Sequence, residues 1–145
     1  MMSFEQSQDR CWFWIFLAWL VAMVSTLGAL FLGEVMGYTP CVLCWYQRIA
    51  MFPLTLILAA GLFPFDRRVI RYALPLAVVG CLLAAFHLAL VAGWIPEAIK
   101  PCQQGVPCSN TPVVWFGFVT IPLLSLLSFS IICGLLLATS RKGAK

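Results

Sequence analysis

The sequence predicts an all-α integral membrane protein: a four-helix bundle with two short external loops that carry cysteines. Two observations carry that prediction. The chain has 145 residues, 63% of them hydrophobic and only 10% charged, whereas soluble domains average about 25% charged residues. Its few charges also fall between four long apolar runs instead of being spread along the chain. A spanning helix needs about 20 predominantly apolar residues.

No charged residue occurs from Cys11 to Gly33, so the first helix is expected near 12–33. That stretch is too long for the apolar segment of a signal peptide, and no typical cleavage site follows it. The second run, Ile49 to Phe65, reaches spanning length only if it begins near Val42 and takes Arg48 with it, which places a helix near 42–63. The third run, Tyr72 to Pro96, places one near 72–94. The fourth, most apolar from Phe116 to Ala138, places one near 115–138. With no linker or low-complexity tract, residues 1–145 read as a single transmembrane domain.

Basic residues set the expected orientation, because cytoplasmic loops carry an excess of lysine and arginine. Arg10, the Arg67–Arg68–Arg71 loop and the Arg141–Lys142–Lys145 tail hold seven of the nine basic residues. In a four-helix chain these segments share one side, so both termini and the middle loop are expected in the cytoplasm. Segments 34–41 and 95–114 then face outward, with Trp45, Tyr46, Trp94 and Trp115 near the outer interface. The net charge of +4 is divided among short loops, a pattern of membrane topology and not of a nucleic-acid surface.

Seven cysteines are present. Cys11, Cys81 and Cys133 lie in or beside apolar runs and read as small core hydrophobes. Cys41 and Cys44, as Cys-Val-Leu-Cys, and Cys102 and Cys108 fall on the outward side, where disulfides persist. Three readings of these pairs are open: staples, a four-sulfur zinc site, or an exchange relay. A staple across Cys41 and Cys44 gains little, because stabilisation grows with loop length. An oxidising compartment disfavours zinc, and no metal is expected. Cys-x-x-Cys is the redox spacing, and it favours the reactive thiolate. Pro40 before Cys41, with an apolar run after it, puts the pair at a helix N-terminus, whose partial positive charge also favours thiolate.

Arg48 follows Cys44 by four residues, one turn further along the same helix face. It either stabilises a thiolate and the oxygen of a bound electron acceptor, or snorkels to lipid headgroups. His87, the single histidine, lies in the third run. It is either a packing residue or a donor to the same acceptor. Pro53 and Pro122 lie inside or near the starts of the second and fourth helices, where proline frees carbonyls.

These residues resemble the DsbB family of disulfide-forming membrane proteins, and especially its short, BdbC-like branch. The resemblance covers essentially the whole chain. It rests on Pro-Cys-Val-Leu-Cys-Trp-Tyr-Gln-Arg at 40–48, Lys-Pro-Cys-Gln-Gln-Gly-Val-Pro-Cys-Ser at 100–109 and Trp-Phe-Gly-Phe-Val-Thr-Ile-Pro at 115–122. The vitamin K epoxide reductase family shares the chemistry, but there the loop cysteines precede the Cys-x-x-Cys. The resemblance implies a dithiol:quinone oxidoreductase of the bacterial cytoplasmic membrane, with Cys41, Cys44, Cys102 and Cys108 catalytic. It implies that a thioredoxin-like partner, DsbA- or BdbD-like, attacks Cys102 of a Cys102–Cys108 disulfide. Cys108 then exchanges with Cys41, and Cys44 passes electrons to ubiquinone or menaquinone beside Arg48, with His87 nearby. Only Gln-Gln-Gly-Val-Pro separates Cys102 from Cys108, whereas long members of the family carry a much larger insert there.

Overall fold

A computed structural model of the chain describes residues 2–96, 99, 114–115 and 119–142. Helix α1 spans Met2–Leu30 and runs into a π-helical turn at Phe31–Val35; α2 spans Val42–Leu62, α3 Val69–Val91 and α4 Ile121–Lys142. Between α3 and α4, β1 (Val114–Trp115) and β2 (Val119–Thr120) form a two-residue antiparallel ladder, Val114 opposite Thr120 and Trp115 opposite Val119. Among the described residues, four segments are long and apolar enough to cross a membrane: Gln8–Val35, Val42–Leu62, Val69–Val91 and Ile121–Arg141. The chain is an all-α membrane bundle.

Its helices form a ring in which α1 and α3 each pack between α2 and α4. The buried positions show why. Cys11, Ile15, Ala18 and Ala22 of α1, and Phe129, Ile132, Leu136 and Thr139 of α4, recur at alternating steps of three and four. That is the seam spacing of left-handed helix packing. Bundles in lipid gain little from hydrophobicity between helices and depend on close approach of small residues. Ala73, Ala77, Gly80 and Ala84 supply that surface on α3. The Phe129 ring of α4 lies so close over Gly80 that a Cβ there would overlap it. Thr26 and Thr55 hydroxyls hydrogen-bond between α1 and α2 at 2.9 Å, a contact worth about 0.6 kcal/mol in membranes. Leu56 and Leu82, 72% and 65% exposed, face the side that lipid would cover.

Several helix ends differ from the sequence expectation. The first helix begins at Met2, not near residue 12, because the polar 2–10 stretch contains neither glycine nor proline and continues the apolar run as helix. The third ends at Val91, three residues early. Gly93 has a φ of +78°, and the amides of Gly93 and Trp94 donate to the carbonyls of Leu90 and Ala89 at 3.2 and 3.0 Å. This is a Schellman stop, which favours glycine at that position. The fourth helix begins at Ile121, not 115, because Val119 and Thr120 pair with β1. Pro122 then occupies its first turn, where a missing N–H costs nothing. Arg67 donates to the carbonyl of Thr139 at 3.3 Å, so the middle loop and the end of α4 sit at one end of the bundle.

Candidate functional site

At the opposite end, Cys41 is the N-cap of α2. Its backbone is extended (φ −71°, ψ 169°), and its sulfur accepts a hydrogen bond from the amide of Cys44 at 3.3 Å. Helix N-termini leave amides unsatisfied, and here a sulfur fills the place usually taken by a hydroxyl or carboxylate oxygen. The same turn brings the two sulfurs to 2.8 Å, joined by a hydrogen bond. Pro40 precedes the cap and ends the incoming loop.

Cys41 is buried, and His87 of α3 reaches it: Nε2 lies 3.8 Å from Cys41 Sγ. On its other side, His87 Nδ1 accepts from the Gln47 amide at 3.0 Å. Gln47 and His87 are themselves buried, at 6% and 2% exposure, so the bond between them satisfies two side chains that would otherwise be costly to desolvate. The side-chain hydrogen bond with Cys44, and then that with His87, hold the Cys41 thiol well below its ordinary range, although burial pushes it up. This cap therefore stabilises a thiolate, the form that attacks and leaves in disulfide exchange.

Arg48 turns inward. Its guanidinium donates to the carbonyl of Ala29 at 2.8 Å, just before α1 changes to π spacing at Phe31–Val35. It lies against Gly33, where an added Cβ would stand 3.1 Å from a guanidinium nitrogen. It also sits 5.7 Å from the Trp45 ring centroid, within cation–π range. The guanidinium is thus tied to α1 across the helix interface. Turns of π spacing often mark functional positions within helices.

A cavity of about 360 Å³ opens among the helices here. Cys41, Cys44, Arg48 and His87 all line it, and α1, the π-helical turn after it and α4 close it with mostly apolar side chains such as Val24, Leu32, Pro122 and Phe129. Among the described residues lining it, Arg48 is the only cation. Four of the six site residues expected from sequence thus converge, whereas Cys102 and Cys108 lie outside the described residues. Cys11, Cys81 and Cys133 do not line the cavity: Cys11 is buried in the bundle, and Cys81 Sγ lies 3.6 Å from Ser130 Oγ. Sequence reasoning missed Gln47 and Gly33. Gln47 falls three residues after Cys44 on the cavity-facing side of α2, a spacing that could have flagged it.

Comparison with known proteins agrees with this arrangement. The family model described as "Disulfide bond formation protein DsbB" matches residues 9–139. A "Probable disulfide formation protein" of Metapseudomonas resinovorans is 51% identical over 94% of this chain and 96% of its own length. "Disulfide bond formation protein C" of Bacillus subtilis (strain 168) is 45% identical over 81% of this chain and 86% of its own. No solved structure matches the chain. With its four spanning helices and its cysteine pair at the mouth of α2, the chain belongs to the DsbB family and is a multi-pass membrane thiol oxidase of disulfide bond formation.

Proposed function

We propose that the chain reoxidises a thioredoxin-like dithiol partner on the outer side of the bacterial cytoplasmic membrane and delivers the two electrons to a membrane quinone. The observation that carries this reading is the shared cavity: the Cys41–Cys44 pair and Arg48 open into one apolar space inside the bundle. Its volume falls within the ~300–1,000 Å³ of small-molecule sites. Apolar walls with one cation among the described lining residues fit a flat apolar ring that bears carbonyl oxygens. When bound, a quinone supplies a two-electron, two-proton acceptor.

The remaining chemistry belongs to the chain. The partner's thiolate attacks Cys102 of a Cys102–Cys108 disulfide, forming a mixed disulfide and releasing Cys108 as thiolate. Cys108 attacks Cys41 of the Cys41–Cys44 disulfide, and Cys44 is freed as a thiolate one turn from Arg48. The partner's second thiol closes its own disulfide and releases Cys102. Cys102 then re-forms its bond to Cys108 and frees Cys41. Arg48, fixed by Ala29, holds positive charge at the cavity wall, where it stabilises both the Cys44 thiolate and an acceptor oxygen. His87 lines the same wall and is bonded to Cys41.

The test is turnover by the purified chain in detergent. With a reduced thioredoxin-fold dithiol protein and excess quinone, one quinone should be consumed for each partner disulfide formed. Partner oxidation that proceeds equally without quinone, in the absence of oxygen, would remove the acceptor from the reading.

Orientation belongs to the same proposal, with the termini cytoplasmic and both cysteine pairs outward. Its support is the seven-to-two division of basic residues, together with the Arg67–Thr139 bond that gathers the middle loop and the end of α4 opposite Cys41. Reporter fusions after Arg71 and after Lys100 should report cytoplasmic and external locations respectively. The reverse pattern would invert the protein and leave the exchange chemistry in a reducing compartment.

A further inference from the structure

We infer that Gln47 is a positioning residue for Cys41: by donating its amide N–H to His87 Nδ1, it keeps the ring proton on Nε2, where a neutral imidazole faces the Cys41 sulfur and supports it as a leaving thiolate. This rests on the relay reading for its purpose but not for its geometry. A neutral imidazole has one donor and one acceptor nitrogen, and the bond made by one nitrogen sets the role of the other. The amide nitrogen of Gln47 lies 3.0 Å from Nδ1, which makes Nδ1 the acceptor and Nε2 the donor. Nε2 lies 3.8 Å from Cys41 Sγ, within reach of a bond to sulfur.

The rest of the pocket fits a neutral ring. From α2 come Cys44 and Arg48, from the segment before it Tyr38, and from α3 His87 itself. Among the described residues, α1 and α4 present no charged or titratable side chain to this space. With an uncharged amide donating to Nδ1, the ring carries its one proton on Nε2. The arrangement thus differs from a thiol–imidazole pair in which the ring takes the thiol proton. Here the ring keeps its proton and lends a hydrogen bond.

The step served is the release of Cys41. As the Cys102 thiolate attacks Cys108, a Cys102–Cys108 bond forms and the Cys41–Cys108 bond breaks. The electron pair of the broken bond stays on Cys41 Sγ, opposite Nε2–H. No proton moves and no further oxidant is needed. A better-stabilised leaving thiolate departs faster. The helix N-terminus acts on the same sulfur through the Cys44 amide, so the thiolate has support from two sides.

Two measurements on the full chain in detergent test this, and neither uses quinone or partner, so their failure is separate from failure of the relay. The first is nitrogen NMR of the chain labelled at its single histidine and purified without a histidine tag. Nε2 should carry the proton at neutral pH; a proton on Nδ1, or an imidazolium, overturns the inference. The second is the pH profile of Cys41 alkylation, read by mass spectrometry in a Cys44→Ser, Cys102→Ser, Cys108→Ser background. Gln47→Met keeps the shape of the side chain and removes its donor. It should raise the midpoint and slow alkylation at neutral pH about 10-fold, the worth of roughly one hydrogen bond to a charged group. In a His87→Ala background, Gln47→Met should add nothing further, because it acts through the ring. An unchanged profile, or an effect that adds in full to that of His87→Ala, assigns Gln47 to packing alone.

Discussion

Cys108→Ser should accumulate a covalent complex between Cys102 and a thioredoxin-like protein, visible on a non-reducing gel, while Cys102→Ser should accumulate none. Exchange assigns unlike duties to the two members of a pair: the attacked sulfur joins the partner and its neighbour leaves. With serine at 108, the Cys102 thiolate attacks the disulfide of an oxidised partner, joining one partner sulfur and releasing the other as thiolate, and no Cys108 thiolate remains to take Cys102 back into its own disulfide. Turnover should fall to background in both variants, and only the trapped species separates their roles. In the sequence, Cys102 follows Pro101, and Gly105 and Pro107 stand between it and Cys108. Cys44 is a poor place for that attack, since it lies deeper along α2 and lines the cavity beside Arg48. Equal trapping by Cys102→Ser would reverse the assigned order. A staple would give no trapped partner in either variant.

Arg48→Ala carries the second large effect. Its guanidinium spans from α2 to the Ala29 carbonyl of α1 and stands at the wall of the cavity. Removing a hydrogen bond to a charged group costs about 1.5–3 kcal/mol, so the quinone concentration needed for half-maximal turnover should rise roughly 10- to 100-fold. Exchange with the partner should continue, because the four cysteines remain. Arg48→Lys should recover only part of the loss. An ammonium restores the charge but lacks the planar fork that serves Ala29 and the cavity together. An unchanged dependence on quinone would make Arg48 a brace between α1 and α2. Gly33→Ala offers a subtler form of the same test, since its Cβ would press on the guanidinium at 3.1 Å.

Much of this architecture is legible in the chain because lipid imposes long apolar runs, and charges mark where they stop. The relation of Cys41, Cys44 and Arg48 is legible for a different reason. It is local, set by one helix whose start is announced by Pro40 and whose period is fixed. Helix ends were harder. The third run stays apolar to Trp94, and only the left-handed conformation of Gly93 stops the helix at Val91. The Trp-Phe-Gly-Phe-Val-Thr stretch reads as a continuation of an apolar helix, but part of it pairs as a short ladder before Pro122. His87 was visible as a lone histidine, yet its partners were not. It lies 40 residues from Gln47 and 46 from Cys41, and only the rotation of α3 against α2 brings them together. The bond from Arg48 to Ala29 is likewise tertiary, since it depends on the place where α1 leaves α spacing. No local pattern in the sequence encodes that contact.

The central claim is that the Cys41–Cys44 pair hands its electrons directly to a quinone held in the bundle. The most direct test uses the chain with Cys102→Ser and Cys108→Ser, reduced, freed of reductant and kept without oxygen. Quinone is then added in detergent, and both its reduction and the state of the cysteines are followed. The account predicts that one quinone is reduced for each Cys41–Cys44 disulfide formed, with no partner present. A pair that stays reduced while quinone remains unchanged, in protein that is folded, would contradict it.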